Sequence, residues 1–278
     1  MKTVLVTGCS GYIGSHLCKL LVDNNYNVHG LDVVEPKVQL NKFYKVDINQ
    51  LFTIPGQLDP YDAVIHLAAL VSVNESVQKP IIYYITNTNG TMNVINKIPT
   101  KHFIFASTGC ASDPTNPYGL SKRMAEYTVQ EYCTVHNPIN YTIFRFFNVT
   151  GTYGYPPTNP DGLFYNLLNS TKTGEFTIFG NDYNTIDGTC LRDYVHVMEI
   201  CHSIMNSIDN PSNSIESLGH GIGISVKEMF DRFVTTNNLN IKLNYGPRRN
   251  GDVAESVLKD VSKYMVNLYS LDDLLRVK

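Results

Sequence analysis

The sequence predicts an α/β fold in which a doubly wound parallel sheet is followed by a smaller C-terminal lobe. Short apolar runs alternate with helical patterns through the first half of the chain, and a glycine-rich turn follows the first run. From about Asn148 this alternation gives way to segments rich in proline, glycine and asparagine. Near-continuous apolar strands alternating with helices are typical of a parallel sheet covered on both faces.

The elements of the first half follow from apolar, β-branched runs and from helical periodicity between them. The predicted strands are Thr3–Thr7, Asn27–Asp32, Phe43–Val46, Ala63–Leu67, His102–Ala106 and Tyr141–Arg145. The predicted helices are Ile13–Asn24, Pro80–Lys97 and Tyr118–His136. Because crossovers between parallel strands are right-handed, the helices are expected on both faces of one sheet.

The second half is predicted to form a substrate lobe. Proline, glycine and asparagine are concentrated in residues 150–161, and a helix over Leu163–Lys172, a short strand over Phe176–Phe179 and mixed segments follow. We expect a main domain over residues 1–148 and a lobe over residues 149–278, some of whose segments return to the main domain. The lobe should pack on the carboxyl edge of the sheet, where open α/β folds bind ligands.

Composition excludes several classes of protein. The 278 residues are 43% hydrophobic, and a net charge of −3 gives no general reason to bind nucleic acid or an anionic membrane. No apolar run approaches the roughly 18 residues of a membrane helix, and the early first strand leaves no room for a signal peptide. The six cysteines are scattered without a C-x-x-C pair. We therefore expect reduced thiols, no metal site and a cytoplasmic protein.

Three glycines indicate a dinucleotide site. Gly8, Gly11 and Gly14 follow the first strand directly and open the first helix. Glycine permits a tight turn and a close approach of the backbone to a pyrophosphate, whose charge then meets the helix N-terminus. The second strand ends in Asp32, whose carboxylate can accept both ribose hydroxyls of NAD and would repel the 2′-phosphate of NADP. A plain turn and a surface aspartate are the alternative, but the order of these elements predicts a Rossmann-type NAD site.

Further cofactor contacts are expected after the third and fourth strands. Asp47–Ile48 lies where adenine would bind, although a routine strand-end aspartate is an alternative. Leu67–Ala69 offers small residues that let the backbone approach the cofactor. His66 just before them is expected to be a hydrogen-bonded core histidine and not a catalyst.

Tyr118 and Lys122 indicate proton transfer. They lie four residues apart at the start of a predicted helix, and therefore on one face. A phenol with an ordinary pKa near 10 is a poor base at neutral pH, but a lysine ammonium and an oxidised nicotinamide nearby would lower the pKa of Tyr118. Lys122 can also donate to the nicotinamide ribose. Ser107 and Thr108 end the fifth strand, where a hydroxyl can bind the oxygen whose proton Tyr118 takes.

These residues together resemble the extended short-chain dehydrogenase/reductase superfamily. Within it the chain resembles the UDP-galactose 4-epimerases from Lys2 to about Leu275. The segments that carry this resemblance are residues 77–80, 116–119, 145–148, 179–185, 187–197 and 247–252. The long block over residues 179–197 is highly specific.

The resemblance implies a NAD-dependent isomerase that inverts C4 of a UDP-hexose through a 4-keto intermediate, with NAD as a prosthetic group. It implies catalytic positions at Thr108, Tyr118 and Lys122. Cofactor positions fall on Gly8, Gly11, Tyr12, Ile13, Gly14, Asp32, Asp47, Ile48, Leu67, Ala68, Ala69, Asn87, Tyr118 and Lys122. UDP-sugar positions fall on Asn148, Leu163, Phe179, Arg192, Arg249, Asp252 and Ser256. It also implies a homodimer formed through the helices over residues 80–97 and 118–136.

The substrate positions make chemical sense. Arg192 and Arg249 can clamp a diphosphate through charge-assisted hydrogen bonds. Phe179 offers an apolar face to uracil, and Asp252 can accept ribose hydroxyls. Ser256 lies near the position where the family uses residue size to gate the 2-substituent. A small serine predicts room for an N-acetyl group, so UDP-GlcNAc and UDP-GalNAc are expected as substrates beside UDP-Glc and UDP-Gal.

The chain departs from the family at four places. The stretch from Thr108 to Tyr118 is short, Val71 stands where a lysine is usual, and Gly162 stands where an asparagine would touch the diphosphate. The chain also stops early, which shortens the last helix. We expect activity to survive these changes with altered affinity.

Three other functions stay open. A 4,6-dehydratase or decarboxylase on this scaffold needs an acidic residue directly after Thr108, where this chain has Gly109-Cys110. A 4-keto reductase would consume NADPH, which Asp32 disfavours. A non-catalytic NAD-sensing protein would need only the glycine loop, and would have no use for Tyr118 and Lys122.

Overall fold

A computed structural model describes residues 1–50, 53–54, 59–135, 139–249 and 251–276. The chain forms two compact units. The first comprises Met1–Arg145 and Cys201–Glu216, and the second comprises Phe146–Ile200 and Ser217–Lys278. The division at residue 148 that the sequence suggests stays a prediction. No helix among the described residues has the length and apolar character needed to cross a bilayer.

The secondary structure follows in chain order. The strands are β1 Thr3–Thr7, β2 Asn27–Asp32, β3 Lys42–Lys45, β4 Ala63–His66, β5 His102–Thr108, β6 Asn140–Phe146, β7 Asn148–Thr150, β8 Glu175–Phe179, β9 Leu191–His196, β10 Ser214–Leu218, β11 Gly223–Ser225, β12 Lys242–Gly246 and β13 Glu255–Ser256. The α-helices are α1 Tyr12–Asp23, α2 Val73–Gln78, α3 Pro80–Tyr83, α4 Gly90–Lys97, α5 Pro117–Val135, α6 Leu163–Thr173, α7 Val197–Asp209 and α8 Val226–Thr236.

The first unit is built on a seven-stranded sheet. Its order is β3-β2-β1-β4-β5-β6-β10, and β1 pairs in parallel with both β2 and β4. The strand order reverses direction between β1 and β4, which is the switch point where doubly wound sheets bind ligands at their carboxyl ends. The predicted doubly wound α/β fold is confirmed.

Apolar strands buried on both faces hold this sheet together. Every residue of β4 and β5 is buried, as expected for parallel strands covered by helices on each side. Phe103 and Phe105 of β5 pack in one core with Val94 of α4 and Val129 of α5. Each such side chain contributes roughly 1.5–3 kcal/mol on full burial.

The helix predicted over residues 80–97 is interrupted. Tyr84–Asn89 forms a π-helical turn between α3 and α4. This turn contains the polar run Thr86–Asn89, and Asn87 and Thr88 are buried within it. π-helical turns are rare and are often found at functional sites. The helix predicted over residues 118–136 begins at Pro117 and is described to Val135; His136 lies outside the described residues.

The second unit has two small sheets. Strands β11, β9 and β13 form one sheet with β7 paired to β9, and β8 pairs in parallel with β12. Its core is aromatic, with Phe164 of α6, Phe176 of β8 and Phe230 of α8 packed together. Of this unit the sequence predicts only α6 and β8, each to within one residue.

Candidate active site

The glycine loop of the first unit leaves a surface made of backbone. A Cβ on Gly14 would collide with the carbonyl oxygen of Gly8. Gly8 has a φ of +70°, and a Cβ there would lie 2.7 Å from the amide nitrogen of Ala68. Gly11 begins α1 without a capping side chain, and no acidic residue lies in the first turn. This cradle fits a pyrophosphate at a helix N-terminus.

Asp32 lies beside this loop at the end of β2. Its Oδ2 accepts a hydrogen bond from the Ser10 amide at 3.0 Å, and its Oδ1 accepts one from the Val33 amide at 2.7 Å. These bonds hold the carboxylate against the glycine loop. The second predicted cofactor element is therefore next to the first, in an arrangement that fits the ribose of NAD.

The segment after β4 is tied to β1. Amides of Leu67 and Ala68 donate to the carbonyl and hydroxyl oxygens of Thr7 at 3.1 and 3.2 Å. His66 is buried, and its two ring nitrogens lie 2.7 and 3.0 Å from the hydroxyls of Thr7 and Thr91. Burial, with the charge of Lys122, lowers the pKa of His66 to about 3. His66 thus has the contacts of a core histidine.

Two predicted cofactor residues point into the protein. The side chain of Ile48 belongs to the buried core. The Asn87 amide accepts from the Leu70 amide at 2.9 Å and donates to the Leu70 carbonyl and the Ser121 hydroxyl, each at 3.0 Å. Asn87 therefore joins the segment after β4 to α5, in the turn that carries Tyr118 and Lys122.

Thr108, Tyr118 and Lys122 come together at the carboxyl end of β5. The Thr108 hydroxyl lies near enough to the Tyr118 phenol to lower the pKa of that phenol, and it accepts a hydrogen bond from the Cys110 amide at 3.3 Å. The ammonium nitrogen of Lys122 lies 4.4 Å from the centre of the Phe105 ring. A phenol, a hydroxyl and an amine thus share one site at the edge where the glycine loop lies.

The chain's own groups do not make Tyr118 acidic. Burial raises the pKa of Tyr118 well above its ordinary value, Cys110 adds to this, and the Thr108 hydrogen bond opposes it. Burial also lowers the pKa of Lys122 to about 7, against the opposing charge of Glu126. The expectation that Lys122 and an oxidised nicotinamide together lower the pKa of Tyr118 stays a prediction, because desolvation dominates both residues when only the protein groups are present.

Four predicted substrate residues pair up in the second unit. Arg192 of β9 lies 3.7 Å from Asp252 and donates to the carbonyl oxygens of Leu191 and Val253 at 2.9 Å. The guanidinium of Arg249 lies 4.1 Å from the centre of the Phe179 ring.

Three further substrate residues have separate places in that unit. Ser256 of β13 is in register with Arg192 of β9. Asn148 donates to the Asp193 carbonyl at 3.1 Å, and Leu163 is the first residue of α6. Gly162 caps that helix without a side-chain hydrogen bond.

Sequence reasoning missed Tyr194 in this unit. Its hydroxyl is buried without a hydrogen-bond partner among the described residues, next to the charge of Arg192. Tyr194 follows Arg192 and Asp193 in β9 and its ring packs in the core of this unit, so only the position of its hydroxyl indicates a polar role. A buried hydroxyl without a partner is costly unless a ligand completes it.

The fold and this site define a protein that binds a dinucleotide and transfers protons beside it. Residues 4–218 match the family described as "NAD dependent epimerase/dehydratase family". The chain belongs to this family. It is an enzyme, and NAD is its cofactor.

Several individual proteins that are similar to this chain are UDP-sugar 4-epimerases. A UDP-glucose 4-epimerase of Yersinia enterocolitica is 32% identical over 295 residues, which cover 91% of this chain and 88% of that protein. The structure of a Bifidobacterium longum UDP-glucose 4-epimerase in complex with NAD+ and UDP is 28% identical, with a TM-score of 0.85 over 98% of this chain and 96% of that chain. A Campylobacter jejuni UDP-Glc/GlcNAc 4-epimerase is 26% identical, with a TM-score of 0.79 over the same shares.

Proposed function

We propose that this chain is a UDP-hexose 4-epimerase that interconverts UDP-glucose and UDP-galactose. The observation that carries the proposal is the convergence of Thr108, at the carboxyl end of β5, with Tyr118 and Lys122, which lie one helical turn apart on α5. This trio lies in the unit that carries the glycine loop and Asp32. Similarity to the Yersinia and Bifidobacterium epimerases supports the same activity.

Tyr118 is the acid and base of the reaction. Its phenolate takes the proton of the sugar 4-hydroxyl, and Thr108 orients that oxygen through its own hydroxyl. When bound, NAD would supply the hydride acceptor for C4 and a positive charge that would favour the phenolate of Tyr118. Tyr118 returns the proton when the 4-keto sugar is reduced on its other face. The cycle has no net redox change, so no second cofactor is consumed.

The second unit holds the nucleotide. Arg192 and Arg249 bind the diphosphate, where two planar guanidinium groups suit its oxygens. Arg249 covers one face of Phe179, so uracil stacks on the other. Asp252 accepts the ribose hydroxyls, and Asn148 and Leu163 line the same ligand. Binding through UDP leaves the hexose loosely held, which its turning requires.

A panel of UDP-sugars tests the proposal. The purified chain is incubated with each sugar without added cofactor. The products are then separated, and their molecular masses are measured by mass spectrometry. We expect UDP-galactose to form from UDP-glucose at unchanged mass. A product lighter by one water would instead identify a dehydratase, a requirement for NADPH would identify a 4-keto reductase, and a complete lack of turnover would favour an NAD-sensing protein.

The segment after Thr108 favours the epimerase over the dehydratase. Gly109–Ala111 forms a short 3₁₀ turn directly after β5 and contains no carboxylate. The dehydratase reaction needs an acidic group at this position. The 4-keto reductase is disfavoured because the Asp32 carboxylate would repel a 2′-phosphate.

We also propose that N-acetylated sugars are substrates. Ser256 is small and is in register with Arg192, and a UDP-Glc/GlcNAc 4-epimerase is among the similar structures. Wild type should convert UDP-GlcNAc as well as UDP-glucose, and Ser256→Tyr should lose only the former. Strict exclusion of N-acetyl sugars by the wild type would refute this.

A homodimer is the proposed assembly. Exposed apolar side chains lie on α3, the π-helical turn, α4 and α5. They are Ile81, Ile82, Ile85, Met92, Leu120, Met124 and Tyr127. Monomeric proteins rarely expose large contiguous apolar surfaces. Light scattering should give twice the chain mass of 31.2 kDa for the wild type and for Lys19→Ala on α1, and the chain mass for Met124→Glu.

The proposed location is the cytoplasm. All six cysteines are free thiols, and five of them are buried. Free thiols are typical of reducing compartments. Cell fractionation with an antibody against the chain tests this, and recovery in an oxidising compartment would contradict it.

A further inference from the structure

Glu126 is a buried carboxylate that the reaction described above does not use. Its side chain is 1% exposed. Arg145 donates to both of its oxygens, at 2.9 Å from Nε and 2.6 Å from Nη2. The Ser107 hydroxyl donates to it at 2.5 Å, and Arg123 lies 3.5 Å away. A buried charge with this many partners is held in one place.

These bonds join three elements of the site. Ser107 precedes Thr108 at the end of β5, Glu126 lies on α5, and Arg145 is near the end of β6. Arg145 also donates to the Ser112 hydroxyl at 3.2 Å, in the turn that follows Thr108. The carboxylate therefore holds the strand that carries Thr108 against the helix that carries Tyr118.

Glu126 also lies one turn beyond Lys122 on α5. Glu126 faces Lys122 from α5 itself, His66 from β4 and the Phe105 ring from β5. Burial lowers the pKa of Lys122, and the charge of Glu126 raises it. His66 is neutral above its low pKa and so adds no charge beside Lys122. Of the groups that face Lys122, Glu126 is the one whose charge favours the ammonium form.

We propose that Glu126 is a positioning residue that keeps Lys122 in its ammonium form and fixes Thr108 beside Tyr118. The effect on catalysis rests on the proposed function and on the further premise that the Lys122 ammonium helps to favour the phenolate of Tyr118. The effect on Lys122 itself does not.

The titration of Lys122 is the direct test. Protein labelled with [13C]lysine is titrated by NMR, and the 13Cε signal of Lys122 is assigned with Lys122→Met. The wild-type midpoint should lie near 7. In Glu126→Gln it should fall by about one pH unit or more, since an opposite charge at this range shifts a pKa by that amount. Glu131→Gln, an exposed carboxylate on the same helix, should leave it unchanged.

The pH profile of turnover is the second readout. Loss of the ammonium at lower pH should move the alkaline limb of kcat toward acid by about the same amount as the NMR midpoint. If Glu126 only braced the fold, Glu126→Gln would lower the melting temperature and leave both midpoints in place. That result would overturn the proposal.

A double variant keeps the test valid if Glu126→Gln does not fold. Removing Glu126 alone leaves the Arg145 charge buried without its partner, which is strongly destabilising, whereas replacing both partners often is not. Glu126→Gln with Arg145→Gln should therefore fold, and its Lys122 midpoint should lie below that of Arg145→Gln alone, because these two variants differ only in the charge of residue 126. Equal midpoints in the two variants would refute the role of Glu126 and leave the epimerase proposal standing. A lower midpoint in the double variant, together with a wild type that shows no turnover, would support the role of Glu126 and refute the epimerase proposal.

Discussion

The two units present their reactive groups in different ways. In the first unit Thr108 and Lys122 are 8% and 3% exposed and are bound to neighbours in the same unit. In the second unit the side chains of Arg192 and Asp252 are 14% and 33% exposed and form a loose pair at 3.7 Å. Burial also shifts the pKa values of Tyr118 and Lys122 in the first unit.

Because of this difference, we expect the first unit to determine the turnover rate and the second unit to determine the affinity for the substrate. Groups that exchange protons need a fixed geometry, which packing inside the unit provides, and a pKa near neutrality, toward which bound NAD would have to lower that of Tyr118. Groups that bind a charged ligand must exchange their contacts within the protein for contacts with the ligand. Partial exposure to solvent lowers the free-energy cost of this exchange. Substitutions in the first unit should therefore change kcat, and substitutions in the second should change KM.

The largest effect should come from Tyr118→Phe. Removing the phenol should lower kcat by about a hundredfold or more, because a positioned acid and base contributes at least that. UDP affinity, measured by calorimetry, should be unchanged. Tyr245→Phe, at an exposed tyrosine of β12, is the control. Near wild-type turnover of Tyr118→Phe would refute the assignment.

A smaller effect should follow Arg249→Gln or Arg192→Gln. Each removes charge-assisted bonds to the diphosphate worth about 1.5–3 kcal/mol, so KM for UDP-glucose should rise roughly 10- to 100-fold with little change in kcat. Arg232→Gln on α8 should leave KM as it is. A fall in kcat at constant KM would contradict the separation of roles between the units.

The smallest effect concerns stability in the second unit. His220 lies 3.0 Å from the buried carboxylate of Glu199, which raises the pKa of His220. The stabilisation is complete below the ordinary histidine pKa and is lost as pH rises through the raised one. The pKa of Glu199 is lowered, so this carboxylate stays ionised in that range. His220→Gln should therefore lower the melting temperature more at pH 5.5 than at pH 8.5.

A histidine of the first unit provides the opposite control. Burial lowers the pKa of His202, so its neutral form is favoured in the folded chain and stability is lost as pH falls. His202→Gln should gain stability relative to the wild type at pH 5.5. Equal changes at both pH values for His220→Gln would show that the ion pair with Glu199 contributes nothing.

The units also differ in how well their sequences predict them. Every strand bound predicted for β1 to β6 lies within two residues of the observed one. These strands are buried on both faces and therefore appear as continuous apolar runs. In the second unit β13 is two residues long, and β9 gains its partners from β7, β11 and β13, which are distant in sequence. No local pattern specifies such pairings.

The same limit applies to the site. The glycine spacing and the pair Tyr118 and Lys122 are local motifs, so a sequence predicts them directly. The contact between Glu126 and Arg145 spans 19 positions and exists only once β6 lies beside β5. The effect of burial on the pKa of Tyr118 was not part of the prediction, because burial cannot be read from spacing alone.

The π-helical turn at Tyr84–Asn89 determines which side chains of the following helix, α4, face the core. It contains one residue more than an α-helical path would use. Deleting a single residue there would preserve a continuous helix but rotate everything beyond the deletion by about 100°. After such a deletion, the hydrogen bond between Asn87 and the Leu70 amide and the packing of Val94 in the core could not both form. Changes of chain length should therefore be tolerated less here than in any surface loop, although the segment is only a connection between two helices.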